Sequence, residues 1–352
     1  MSSIKPNEMI KQYRDNRTTY VRLDRIATDC LMNALKEAGI QVMSVEHRVK
    51  TVDSLALKVA RKGDKYAGLE EITDLVGIRV ITYFADDVDR VAELVAGLFD
   101  VDWKTSVDKR EQLSATSFGY LSLHHICSLK PESGAPEELL HIRFEIQLRS
   151  VLQHVWAEIE HDLGYKSEFG VPRAIRREFS RVAGLLEIAD ESFSSIREKV
   201  NKYTEDIRVQ IAEDRADDLP IDRVSLREYM LRNGSMRSFL ERLAEVCMAE
   251  ITDADPELYV PQLEWLQIRT LGQLRQMLED DGNEALLLAE ETMRYSELES
   301  VSSTAALRYL CQAELLRKRY TCEQMEEFLK LSLKDPARAA ARARRLSARL
   351  TK

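Results

Sequence analysis

The sequence predicts an α+β protein, a mixed β-sheet flanked by helices, followed by an all-α C-terminal domain. Three observations carry that prediction. Three runs (77–84, 120–129 and 142–148) have the length and apolar patterning of strands, with helical periodicity between and around them. Ten of the thirteen glycines precede residue 185, so the tight turns a sheet needs sit in the first half. The Gly-poor remainder reads as helix.

The elements follow in order. Residues 7–39 place Ile10, Tyr13, Leu23, Ile26, Leu31 and Leu35 at three- and four-residue steps, with Gly39 as the expected C-cap. A second helix is expected over 52–65. GIRVITYF (77–84) reads as a strand and DDVDRVAELVAGLF (86–99) as an amphipathic helix. YLSLHHICSL (120–129) and IRFEIQL (142–148) are two further strands, separated by the turn-rich PESGAPEE. A long helix is expected from near Ser150 to about Tyr165, and helical patterning continues beyond it. The polar segment 212–222, which contains Pro220, marks a boundary. The expected organisation is an N-terminal helical segment over 1–45, a mixed domain with its helical extension over 46–212, and a helical accessory or regulatory domain over 223–352.

Composition narrows the classes. Hydrophobic residues make up 44% of the 352 and charged residues 32%, the balance of a globular protein with real cores. No run approaches the roughly 20 apolar residues of a membrane span, and the polar first residues lack the apolar core of a secretory signal. The five cysteines (30, 127, 247, 311, 322) are scattered and odd in number, which predicts free thiols and a cytoplasmic location. A net charge of −9 argues against a general nucleic-acid coat protein and leaves room for a local basic site.

Four segments carry chemistry. HRVKTVDSLALKVARKGDK holds six Lys/Arg between 48 and 65 against Asp53 and Asp64. On a helix, Ser54, Lys58, Arg61 and Lys65 share one face, with Arg48 and Lys50 just ahead of it. Such a stripe suits a polyphosphate, whose oxygens pair with fixed cations; taken singly it also reads as a solvated face. DLVGIRV (74–80) sets Asp74 before a strand and Arg79 within it. In SFGYLSLHH (117–125), alternation puts Tyr120, Ser122 and His124 on one face, a set suited to base stacking and hydrogen bonding, or simply an exposed polar face. In HIRFEIQLRS (141–150), Ile142, Phe144, Ile146 and Leu148 face a core, while Arg143, Glu145, Gln147 and Arg149 face away. A carboxylate at mid-strand is costly without a partner. Asp74 and Glu145 are thus the expected carboxylates for one Mg²⁺, which takes one or two protein carboxylates plus substrate phosphates. His154, Glu158 and His161 have metal-like helical spacing but no HExxH pattern, and are expected to brace the sheet.

Together, RVKTVDSLALKVARK, DLVGIRVITYF, SFGYLSLHH and FEIQLRSVLQHVWAEIEHDLGYKS resemble the synthetase domain of the RelA/SpoT family over roughly residues 45–200. The resemblance implies a nucleotidyltransferase-like fold in a small stand-alone alarmone synthetase. It implies transfer of the β,γ-pyrophosphate of ATP to the ribose 3′-hydroxyl of GDP or GTP, with release of AMP. Arg48, Lys50, Ser54, Lys58, Arg61 and Arg79 would then bind ATP. Asp74 and Glu145 would be catalytic and hold Mg²⁺, and Tyr120, His124 and Gln147 would contact the acceptor nucleotide. The run ATSFGY lacks the Lys that many members carry before Gly-Tyr. That opens an alternative acceptor, the 3′ end of tRNA or an adenosine nucleotide, as in toxin-type members. A non-catalytic nucleotide sensor on the same fold is a further alternative, disfavoured by the paired carboxylates. In 223–352, amphipathic runs such as SMRSFLERLAEVCMAEI fit an accessory domain, a homo-oligomer surface or a regulatory partner site, and the Arg/Ala-rich end fits a solvated tail or a basic helix.

Overall fold

A computed structural model describes residues 6–62, 65–108, 122–165, 173–293 and 299–350. The chain divides into two compact units, Met1–Arg197 and Glu198–Lys352.

The first unit begins with α1 (Pro6–Asp15) and α2 (Arg17–Glu37), so the first helical stretch is broken at Asn16. Gly39 lies at φ +63°, the left-handed geometry expected after a helix end. Then come β1 (Val42–Val49), α3 (Val52–Lys62), β2 (Val76–Thr82) and α4 (Ala85–Leu98). These are followed by β3 (Phe99–Val101), β4 (Val107–Asp108), β5 (Leu123–Leu129), α5 (Glu137–Leu140), β6 (Phe144–Ser150) and α6 (Val151–Tyr165). The long helix α7 (Arg173–Ala212) contains the point of division at 197/198, earlier than the 212–222 segment.

The strands form one sheet in the order β1-β2-β6-β5-β3, with β4 paired to β5. In this sheet, among the described residues, β2 and β6 run parallel and the other pairs are antiparallel. Alternation gives the sheet two unlike faces. Along β6 the burial alternates strictly, with Phe144, Ile146 and Leu148 fully buried. They join Ile78 and Val80 of β2 and the apolar faces of α2 and α4 in one core. Phe99 and Phe144 meet edge to face at 5.3 Å inside it. The opposite face carries the polar residues and is crossed at one side by α6.

β1 corrects the expected N-terminal boundary: residues 42–45 belong to the sheet and not to a helical segment ending at 45. None of its residues is fully buried, so its sequence lacks the alternation that marks β6. It becomes a strand by hydrogen bonding to β2, which no local pattern reveals. Lys62 ends α3, so Lys65 lies beyond the helix that carries Ser54, Lys58 and Arg61.

The second unit continues with α8 (Arg223–Arg232), α9 (Gly234–Cys247), β7 (Glu250–Thr252), α10 (Val260–Trp265) and α11 (Leu271–Met293). β8 (Ser300–Ser302), α12 (Ala305–Arg317), α13 (Cys322–Lys330) and α14 (Pro336–Ser347) complete it. The unit is helical as expected, with one addition, a parallel pair of three-residue strands, β7 and β8. Asp222, at the end of the polar 212–222 segment, caps α8 through the amides of Val224 and Ser225. The Arg/Ala-rich end is a packed helix rather than a solvated tail. Ala339, Ala343 and Leu346, at i, i+4 and i+7, are buried in the unit's core.

A buried acid pair sits in this core. Burial, then the hydrogen bond and charge of Glu314, push the Asp281 carboxyl up to about 7, even though Arg317 lies 2.8 Å away. A carboxyl raised on folding contributes stability that is complete below its unfolded value near 3.8 and is lost as pH rises toward about 7. Asp281→Asn should therefore raise the melting temperature more at pH 8 than at pH 5. Thermal denaturation at both pH values checks this, and equal shifts would remove the assignment.

Candidate active site

Sheet register builds the site. Arg48 of β1 lies opposite Gly77 of β2, Gly77 opposite Glu145 of β6, and Glu145 opposite Ile126 of β5. The next row reads Glu46, Arg79, Gln147 and His124. Paired residues share a face, so four strands present these side chains on the polar side of the sheet. The hydrophobic side holds the strands; the other is free for chemistry.

Asp74 reaches the same place from the turn before β2. Lys50 Nζ lies 3.0 Å from its Oδ2, and Lys58 Nζ lies 2.7 Å from its Oδ1. Lys50 is fixed from behind. Its amide donates to the Leu75 carbonyl at 2.8 Å, and the buried Tyr13 hydroxyl of α1 donates to the Lys50 carbonyl at 2.5 Å. Burial raises the Asp74 carboxyl, but hydrogen bonds and charge from Lys58 and Lys50 outweigh it and hold the group below its ordinary value. Asp74 is a fixed anion between two ammonium groups.

Glu145 is held differently. His124 Nδ1 lies 2.7 Å from Oε1, and Gln147 Nε2 donates to Oε2 at 2.9 Å. A carboxylate can only accept, so an imidazole hydrogen sits on Nδ1; Nε2 lies 2.6 Å from the Ser122 hydroxyl. The Gln147 carbonyl accepts from Arg79 Nε at 3.4 Å and from Arg149 Nη2 at 3.3 Å. Burial raises the Glu145 carboxyl, yet the His124 hydrogen bond and charge and the Gln147 hydrogen bond bring it below its ordinary value. It is ionised at neutral pH.

Two cavities open on this face. One of about 180 Å³ is lined by Arg48, Asp74, Gly77, Arg79, Glu145 and Gln147, among others. The other, about 480 Å³, shares Arg48, Arg79 and Gln147 and adds Arg149, Trp156 and His161. The two carboxylates expected to act together therefore do line one cavity, with the guanidinium groups of Arg48 and Arg79 beside them. Among the described residues no group of three His, Cys, Asp or Glu side chains is placed to hold a metal ion. Two carboxylates do suit Mg²⁺, which keeps waters and takes substrate phosphates for its other positions. Each carboxylate oxygen has two lone pairs, so the hydrogen bonds to Lys50, Lys58, His124 and Gln147 leave one per oxygen for a cation.

Other expected residues lie elsewhere. Ser54 is exposed; its amide donates to Thr51 Oγ1 at 3.1 Å and its Oγ accepts from the Thr51 hydroxyl at 2.8 Å, so Thr51 caps the start of α3. Neither Ser54 nor Arg61 is among the described lining of either cavity. Tyr120, with the ATSFGY run, lies outside the described residues. Glu158 does brace the sheet, through Arg79 at 3.1 Å, but it and His161 also line the larger cavity. Three contributors escaped sequence reasoning: Gly77, Arg149 and Trp156. Arg149 was assigned to the polar face, and its neighbourhood with Arg79 was the missing signal. Burial and Arg79 together lower its pKa, a guanidinium placed where an anion would relieve it.

Comparison with known proteins agrees. The sequence pattern of the region found in RelA / SpoT proteins matches residues 47–169, which contain every lining residue named above. GTP pyrophosphokinase YjbM of Bacillus subtilis (strain 168) is 31% identical over 159 residues, 45% of this chain and 73% of the relative. GTP pyrophosphokinase YwaC of the same organism is 28% identical over 163 residues, 45% and 76% of the two chains. Among solved structures, small alarmone synthetase 1 from Bacillus subtilis aligns with a TM-score of 0.46 at 24% identity, over 55% of this chain and 99% of that one. A site assembled from the segments that the family shares, together with relatives of this identity and coverage, establishes that the chain belongs to the RelA/SpoT family.

Proposed function

We propose that this chain is a GTP pyrophosphokinase that transfers the β,γ-pyrophosphate of ATP to the ribose 3′-hydroxyl of GDP or GTP and releases AMP. The observation that carries the reading is the single cavity in which Asp74, Glu145, Arg48 and Arg79 converge. Relatives named as GTP pyrophosphokinases support the reaction class.

Pyrophosphoryl transfer needs charge neutralisation and in-line alignment more than covalent catalysis. Arg48, Arg79 and Arg149 bind and orient the anionic phosphates along the two joined cavities. Lys50 and Lys58 hold Asp74 at one end while remaining close enough to share its partner. Asp74 and Glu145 would hold Mg²⁺, which supplies charge neutralisation on the phosphates. Glu145 accepts a hydrogen bond from the acceptor hydroxyl and aligns it. Alone, a carboxylate held below its ordinary value is a weak base. The imidazole, donating from Nδ1, fixes the carboxylate that receives the hydroxyl proton, so the Glu145–His124 pair acts as one unit. Trp156 offers a ring on which a base can stack.

Incubation with γ-³²P-ATP and each of GDP, GTP, an adenosine nucleotide and tRNA tests the reading. Label is expected on the guanosine nucleotide with stoichiometric AMP. Label on tRNA or the adenosine nucleotide instead would replace the acceptor, and AMP formation with none of the four would end the proposal.

A further inference from the structure

A further cavity lies wholly inside the helical unit and is lined by none of the residues used above. It encloses about 290 Å³, the small end of ordinary ligand pockets, and its lining includes Tyr259, Gln262, Arg308, Gln312, Phe328 and Arg342. Arg308 and Gln312 stand one turn apart on α12, and Arg342 approaches from α14. Gln262 and Gln312 are 2% and 4% exposed, so the polar floor is built into the fold. Gln262 donates to the Ser332 hydroxyl at 2.7 Å, and the Gln312 carbonyl accepts from Arg342 Nη2 at 3.5 Å.

The charges here do not balance. Elsewhere in this unit, guanidinium groups that reach inward have acids. Arg317 pairs with Asp281 and Glu314, and Arg349 with Glu284 and Glu291. Neither Arg308 nor Arg342 has a carboxylate within 4.0 Å among the described residues. The one acid in the lining, Asp255, is engaged by Arg223 Nε at 2.9 Å. Burial and the nearby Arg308 disfavour the charged form of Arg342. Holding two like charges at one cavity without a counter-ion costs free energy that a bound anion would offset.

We propose that this cavity binds a small molecule carrying a phosphoryl group on a flat or apolar body. A guanidinium donates parallel hydrogen bonds in a fixed fork, and a phosphoryl dianion has the oxygens and the charge to match two of them; a single carboxylate brings only half that charge. Tyr259 and Phe328 line the remaining wall and suit the body of the ligand. This site is independent of the pyrophosphokinase reading.

Phenyl phosphate is the probe, titrated calorimetrically into the full chain beside inorganic phosphate and benzoate. Phenyl phosphate should bind more tightly than either control. Its affinity should fall at least tenfold in Arg308→Gln and in Arg342→Gln and stay unchanged in Arg25→Gln, an exposed position of α2 that lines none of these cavities. Arg308 is exposed, so its variant keeps the test decisive if the Arg342 variant fails to fold. No binding of phenyl phosphate, unchanged binding in both variants, or loss in Arg25→Gln alone would overturn the site. Benzoate binding as tightly as phenyl phosphate would overturn the phosphoryl assignment.

Discussion

Glu145→Gln should leave the chain folded and lower turnover by roughly 10²–10⁴-fold, the usual range for a positioned proton acceptor. The amide keeps the shape of the carboxylate and still accepts from His124 Nδ1, which now lies 2.7 Å from Oε1. Its NH₂, however, would face the Gln147 NH₂, donor against donor, where Gln147 now donates to Oε2 at 2.9 Å. The mismatch is half-buried, so a melting-temperature loss of a few degrees is expected and no more. Asp74→Asn should be as damaging to turnover and worse for stability, because Lys50 and Lys58 would lose the anion between them. Steady-state AMP release with ATP and acceptor, beside circular dichroism, separates these effects. Near-normal turnover in either folded variant would remove both carboxylates from the chemistry.

Gly77→Val should depress kcat/KM by roughly a hundredfold or more while leaving the melting temperature unchanged or higher. The glycine lies between Arg48 and Glu145 in the sheet, and a Cβ built there meets no atom within 4 Å. That empty space is part of the cavity the substrate needs. A β-branched side chain suits a strand and would pack without clash, so stability does not suffer. It would displace the reacting groups, and an error of about 1 Å in their alignment costs on the order of 10²-fold. ATP titration and thermal denaturation of the same preparation read both halves. Ordinary kcat/KM would show that the space beside Gly77 is not used, and a large fall in melting temperature would show that the glycine serves the backbone.

These two residues differ in how visible they were. Glu145 stood out because an acid at mid-strand in an alternating run breaks a local rule, and such breaks mark functional positions. Gly77 broke none, since a glycine at a strand start is ordinary. Its meaning depends on what lies beside it in two other strands. Arg48 is similar: its segment was legible as basic, but not as a strand, because β1 is defined by pairing with β2 rather than by its own pattern. Ser54 is the converse case. Helical spacing puts it on the basic face, while the structure shows its Oγ accepting from Thr51 and leaves it out of both described cavity linings.

Periodicity by itself determined β2, β5, β6 and the helices that cover them, because burying one face of a strand or helix demands a repeat that any reader can count. It also marked Glu145, a charge among apolar neighbours at mid-strand, whereas Asp74, in the turn before β2, is weak taken alone and gains its weight from the other segments. Only the tertiary structure decided what those charges do. Lys50 and Lys58 clasp Asp74, His124 and Gln147 clasp Glu145, and Arg308 and Arg342 face one cavity without an acid. Electrostatic partnership depends on distance through space, and a linear sequence carries no record of that distance.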